Sequence, residues 1–269
     1  RFRKRKLQTD PFTSFAEPRF STYNDTIYIL VLHHQQEKKV NKTLFQEIGD
    51  LFRLPGSVKK VVMVEGPKLA STYKVTYDTK KVYIFQKMSD SLSYTAENVM
   101  KNVEVINDHL RSKGVPSLHF HHSNQRENFV RDTDGGYWRV RRFIESDFAN
   151  TTNDYEALQK IGLIMGELFV SISDLDVSKL TTNFENLHNT RLIIDRLNSV
   201  NLENDDKEYL LENIDNSCVV YDAFTRGDIK SVATHNDTKV KNLLFDKKTG
   251  RPTVLINIDK TQPGIALYD

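Results

Sequence analysis

Cysteine is nearly absent from this sequence: Cys218 is the only one in 269 residues. An internal disulfide framework is therefore excluded, and a reducing compartment, with the cytoplasm as the default, is the expected location. Long apolar runs are missing too. The stretch Ile27 to Leu32 falls far short of the roughly 20 residues that a membrane-spanning helix needs, so a soluble protein with no membrane partner is expected. Nor does one charge sign dominate, with 38 basic against 36 acidic residues and a formal net charge of +2. A polyanionic partner, nucleic acid above all, is not implied. No internal repeat is visible.

At 31.2 kDa the chain is long enough for one large domain or for two lobes sharing a cleft. Its first forty or so residues combine the basic run Arg1-Phe2-Arg3-Lys4-Arg5-Lys6, Pro11, Pro18 and the strand-like Tyr28 to Leu32. Residues 1–44 are read as an N-terminal extension without assigned function. The sequence opens without an initiator Met and stops at Tyr268-Asp269, the pattern expected of a piece of a longer polypeptide.

From Thr43 the periodicity sharpens. Leu44, Phe45, Ile48, Leu51 and Phe52 recur at helical spacing before Pro55-Gly56 ends the helix. Val58 to Val64, Ser71 to Tyr77 and Lys81 to Met88 read as three antiparallel strands, rich in β-branched and aromatic residues. A helix over Thr95 to Lys113 follows, with Val99, Val103, Ile106 and Leu110 on one face and Gly114 as its stop. Asn128 to Arg131 and Tyr137 to Ile144 form a second hairpin around the Asp132 to Gly136 turn. From 154 to 228 the helical period dominates, with helices expected at 154–174, 183–199 and 205–225. Strands return at Asn242 to Phe245 and Thr253 to Ile258, joined by a turn at 246–250. The order predicts an α+β protein of two lobes, 45–145 and 146–269, with a ligand cleft between them.

The chemistry concentrates in His235-Asn236-Asp237-Thr238-Lys239-Val240-Lys241-Asn242 and in Asp259, which closes the late hairpin. Phosphoryl transfer needs a carboxylate to orient the attacking hydroxyl and oxygen ligands for the metal on the phosphates. Asp237 suits the first role, and Asn242 with Asp259 the second, since magnesium takes one or two protein oxygens beside phosphate and water. Singly, Asp237 and Asn236 also read as an ordinary turn or cap, and Asp259 as a strand-end carboxylate. The ordered set of three favours the chemical reading.

The same residues carry a family resemblance. They resemble the catalytic loop and metal-binding Asp of the aminoglycoside phosphotransferase and choline kinase superfamily, whose fold is similar to that of protein kinases. Thr234 to Asp246, Ile258-Asp259 and Pro263 to Asp269 look most like bacterial N-acetylhexosamine 1-kinases. The likeness extends upstream to about Phe45, through Ser71 to Val75, Tyr83 to Lys87, Tyr137 to Val140 with Phe143-Ile144-Glu145, and Phe184 with Leu187 to Arg191. It implies a bilobal fold with a small antiparallel-sheet N-lobe and a mainly helical C-lobe, using ATP and Mg2+ to phosphorylate a small-molecule sugar. By carry-over Asp237 is the catalytic base, supported by His235 and Asn236, and Asn242 and Asp259 hold magnesium. Backbone groups near Ile144 and Glu145 would meet adenine. Either Lys87 or Gln86 would lie near the phosphates, since strand alternation sends them to opposite faces, and Glu97 or Glu104 could pair with Lys87.

Two departures stand out. Glu65-Gly66-Pro67-Lys68-Leu69-Ala70 occupies the place of a glycine-rich phosphate loop with a single glycine. The helices that follow the metal-binding Asp in the family, and carry part of its acceptor site, would lie beyond Asp269. Choline, homoserine or an aminoglycoside therefore stay open as acceptors, as does a kinase-like binding domain without catalysis. Outside this set, His119, His121 and His122 lie on an expected strand without a completed ligand set, and Trp138 reads as a packed strand aromatic. Arg139, Arg141 and Arg142 could meet phosphate but read more simply as a solvated strand edge.

Overall fold

A computed structural model describes residues 41–65, 70–88, 95–148, 155–199, 208–209, 211–246 and 252–269. The basic N-terminal run, the single-glycine loop at 66–69 and the turn at 247–251 lie outside the described residues. Helix α1 (Lys42–Leu51) leads into three strands, β1 (Val58–Glu65), β2 (Ala70–Tyr77) and β3 (Val82–Met88). With β4 (Val130–Arg131) and β5 (Tyr137–Arg142) they form one antiparallel sheet in the order β1-β2-β3-β5-β4. Alternation splits this sheet into two working faces. Against one face Phe45 of α1 packs edge-on to Tyr73, Phe85 and Trp138, with ring centroids 4.9, 5.7 and 5.5 Å away. The opposite face, which carries Thr72, Gln86 and Arg139, looks toward α2 (Ala96–Ser112) and the site.

Thr95 caps α2 by accepting the Asn98 N–H, and the helix buries Val99, Met100, Val103, Ile106 and Leu110. These side chains enter one core with Ile161, Met165, Leu168 and Ile172 of α3 (Tyr155–Ile172) and with Leu243, Leu255 and Ile258. Asn102, 1% exposed, clamps α2 to the helical part. Its amide donates to the carbonyls of Thr181 (2.7 Å) and Thr261 (2.9 Å), and its oxygen accepts the Thr181 N–H at 2.8 Å.

The helical part continues with α4 (Thr190–Asn198) and α5 (Ile214–Thr225). Two small antiparallel sheets follow: β6 (Ser146–Phe148) pairs with β8 (Leu243–Asp246), which pairs with β9 (Pro252–Leu255), and β7 (Val232–Thr234) pairs with β10 (Gln262–Gly264). No helix among the described residues is long and apolar enough to cross a membrane.

Local details differ from expectation for physical reasons. The helix expected from 183 starts at Thr190, because Asn186 and His188 take left-handed backbone angles and Asn189 caps the helix onto the Leu192 N–H. The strand expected to reach Ile258 ends at Leu255, where Asn257 turns to φ +60° and a 3-10 turn begins. Residues 119–122 form no strand; Phe120 makes one isolated bridge to Arg141. Strands β6, β7 and β10 escaped detection because three residues are too few to show a period.

Candidate active site

Strand β7 ends at Thr234, and the next residues build the loop. Asn236 sits at φ +62°, a left-handed angle that asparagine tolerates better than most residues. Its amide holds that turn by donating to the Thr234 carbonyl, the Thr234 hydroxyl and the Lys260 carbonyl at 2.9 to 3.1 Å. His235 is buried, and its Nδ1 accepts the Asp237 N–H at 3.1 Å, which places the neutral ring's proton on Nε2. Burial pushes its pKa below the usual histidine value. His235 also lines a small, partly open pocket with Asn107, Leu168, Ile172 and Thr261.

Asp269 anchors the loop from the far side. Its carboxylate accepts the N–H groups of His235 and Asn236, each at 2.6 Å, and the Thr238 hydroxyl at 3.2 Å. Asp237 itself is 18% exposed at the side chain and faces Lys239 Nζ at 2.5 Å. Partial burial raises its pKa, but the Lys239 hydrogen bond, the Lys260 and Lys239 charges and the Asn242 amide outweigh that, and the carboxyl titrates below its ordinary range. It is a carboxylate at neutral pH.

Asn242 closes the loop, donating to the Asp237 carbonyl at 2.7 Å and toward Asp237 Oδ2 at 3.4 Å. Its own Oδ1 accepts from Asn257 Nδ2 at 2.7 Å, which leaves one of that oxygen's two lone pairs. The late hairpin carries this contact: Leu243 pairs with Leu255, and the Ile256 N–H reaches the Asn242 carbonyl at 2.7 Å. Asp259 follows in the 3-10 turn, 7% exposed.

Both oxygens of Asp259 are taken by Arg139, at 2.6 Å from Nη1 and 2.8 Å from Nη2. Arg139 is 2% exposed, so the solvated edge expected for it is corrected: its side chain points into the core face of the sheet. Of the other two arginines, Arg142 is exposed and Arg141 half-buried. An ionised carboxylate offers about four acceptor positions, so Asp259 keeps room for a cation beside the guanidinium. The donors present, one amide oxygen and one carboxylate, are those a magnesium ion takes from a protein when phosphates and water complete its shell.

Of the pair on β3, Gln86 faces the site and accepts Arg139 Nε–H at 2.9 Å. Lys87 turns to the opposite face, bound to Asp132 at 3.1 Å and lying 5.6 Å from the Trp138 ring centroid. The expected partners of Lys87 are engaged elsewhere: Glu97 with Lys101 at 3.2 Å, and Glu104 with His122 and Asn128. On α2 it is Met100 that meets Arg139, its sulfur 3.5 Å from Nη1. Ile144 is half-buried and Glu145 exposed in the short connection from β5 to β6.

The structure thus brings His235, Asn236, Asp237, Asn242 and Asp259 into one hydrogen-bonded region, with Gln86 joined through Arg139, and leaves Lys87 and Glu97 outside it. Sequence reasoning gave Asp269 and Asn257 no role of their own, because that role lies in contacts with other segments, and misread Arg139. No local signal marked Arg139 as buried, since a charge alternating with Trp138 and Val140 is the pattern of an exposed position in a strand.

No family model matches the sequence. Among solved structures, the chain is similar to an aminoglycoside 2'-phosphotransferase in complex with GDP, at 15% identity over 85% of this chain and 76% of that one, with a TM-score of 0.63. It is similar as well to an amicoumacin kinase in complex with AMP-PNP and Ca2+, at 12% identity over 89% and 69% of the two chains, TM-score 0.61. A spectinomycin phosphotransferase solved with ADP and spectinomycin gives 16% identity over 80% and 68%, TM-score 0.54. The chain therefore has the protein-kinase-like, bilobal α+β fold of these phosphotransferase structures.

Proposed function

We propose that the protein is a small-molecule kinase, transferring the terminal phosphate of ATP to a hydroxyl of a small acceptor. The observation that carries this reading is the placement of Asp237 and Asn242 on one loop and Asp259 on the turn packed against it. The likeness in fold to structures holding ADP, GDP and AMP-PNP supports it. Asp237, ionised and aimed by the His235 and Asn242 contacts, orients the acceptor hydroxyl and takes its proton as the new bond forms. Asn242 and Asp259 are the residues that would hold magnesium, which neutralises charge spreading over the phosphoryl oxygens. Adenine meets the backbone near Ile144 and Glu145.

For the acceptor we propose a sugar, an N-acetylhexosamine phosphorylated at its anomeric hydroxyl. This rests on the resemblance of Thr234 to Asp246 and of Pro263 to Asp269 to that family's sequences. A coupled assay of nucleoside diphosphate release, run with ATP and GTP over a panel of hexosamines, amino alcohols and aminoglycosides, separates the acceptors. Turnover restricted to amino alcohols or aminoglycosides would reject the sugar while keeping the kinase. Asp237→Asn abolishes turnover and leaves nucleotide affinity within about threefold on this reading; full activity in that variant removes Asp237 from its role.

A further inference from the structure

The sheet face that looks into the site presents an unusual distribution of charge. Thr72, Gln86 and Arg139 stand side by side on β2, β3 and β5, paired Thr72 with Gln86 and Gln86 with Arg139 in the register. They form one hydrogen-bonded row: Gln86 Nε2 donates to the Thr72 hydroxyl at 3.1 Å, Arg139 Nε donates to Gln86 Oε1 at 2.9 Å, and the guanidinium ends on Asp259. The flat of the guanidinium lies 4.7 Å from the Phe120 ring centroid. Protein kinases place a lysine on the third strand to meet the phosphates, paired with a glutamate of the following helix. Here the site-facing residue of β3 is the neutral Gln86, and the helix offers Met100. The lysine beside it, Lys87, is tied to Asp132 on the other face.

We propose that Arg139 is the phosphate-binding cation of this site, serving from β5 the role that a β3 lysine serves elsewhere, and that Asp259 holds its guanidinium ready. The inference rests on the nucleotide reading of the site given above. Gln86 and Thr72 act as the positioning row: they fix Nε, so the two terminal nitrogens stay aimed at the place where metal and phosphate converge. Arginine suits this position because its charge persists when buried, and its planar fork matches phosphate oxygens as well as carboxylate. Once Asp259 shares its charge with a divalent cation, the guanidinium still has donors to offer a phosphate, because it carries five N–H groups in all.

The test separates loss of the cation from the stranding of the carboxylate that pairs with it. Arg139→Met alone strands Asp259, so it is paired with Asp259→Asn, and the double variant is compared with Asp259→Asn alone after circular dichroism shows both folded. Calorimetry without magnesium then measures ADP and adenosine. Asp259→Asn alone is expected to bind ADP at least as well as the parent, and adding Arg139→Met is expected to weaken ADP about tenfold or more while adenosine changes less than threefold. Gln86→Lys added to the double variant returns most of the ADP affinity. Lys87→Met leaves ADP binding within threefold of the parent. Equal loss of ADP and adenosine, unchanged ADP binding, or a large loss in Lys87→Met each overturn the assignment. A parent protein that binds neither ADP nor ATP would instead overturn the nucleotide reading itself.

Discussion

Asp269 offers the sharpest test of how the loop from His235 to Asn242 is held and of the role proposed for it. Its carboxylate accepts two backbone N–H groups at 2.6 Å and a hydroxyl at 3.2 Å, and one of those amides belongs to Asn236 at φ +62°. A hydrogen bond to a charged group contributes about 1.5–3 kcal/mol. Since Asp269 is only half-buried, the lower end applies, and Asp269→Ala should cost about 3 kcal/mol for the two amides together. The strained Asn236 angle then relaxes and moves Asp237, and a displacement of about 1 Å in a catalytic group costs on the order of a hundredfold in rate. Steady-state kinetics are expected to show kcat about a hundredfold lower in Asp269→Ala and about tenfold lower in Asp269→Asn, which keeps one acceptor oxygen. The nucleotide KM should move less than threefold, because the residues proposed to meet adenine and phosphate lie on other elements. An Asp269→Ala enzyme with kcat within twofold of the parent, or one whose loss falls entirely on KM, refutes this reasoning.

Three further outcomes follow from other contacts. Asn102→Ala leaves two carbonyls and one N–H without their buried partner and should lower unfolding stability by about 3–4 kcal/mol in urea titration; a loss under about 1 kcal/mol would show that α2 is held by its apolar face alone. For the Arg139 and Asp259 pair, Arg139→Met or Asp259→Asn alone should each cost roughly 3–5 kcal/mol, and the double variant less than their sum, because each single change strands a buried charge; additive costs would mean the pair is not coupled. His235, His119 and His121 are all held below the usual histidine pKa, chiefly by burial, so the unfolded chain binds protons first as pH falls. Their stability contribution is complete above about pH 6.5 and is lost as pH drops below it. Urea midpoints between pH 8 and pH 5.5 should fall accordingly, and midpoints that hold or rise on acidification would contradict it.

The long elements were readable because their signal is local. Ten-residue α1 and seventeen-residue α2 each expose a full apolar stripe in the sequence, and the stop at Pro55-Gly56 and the cap at Thr95 are local chemistry. The order of polar residues from His235 to Asn242 and at Asp259 could be read for the same reason, as a spacing along the chain. Which side chains would meet could not. Alternation showed that Gln86 and Lys87 face opposite ways, but only packing against Phe45 and Trp138 assigned the faces.

By itself the sequence determined the α+β order, the helical middle and the candidate carboxylates, because backbone periodicity and turn chemistry act over a few residues. The tertiary structure alone decided that Arg139 lies inside against Asp259, 120 positions away, that Asp269 grips the loop 33 and 34 residues before it, and that Lys87 is spent on Asp132. Those are pairings between distant segments. They depend on strand register and on which buried charge can find a partner, and neither is written in any local stretch of the chain.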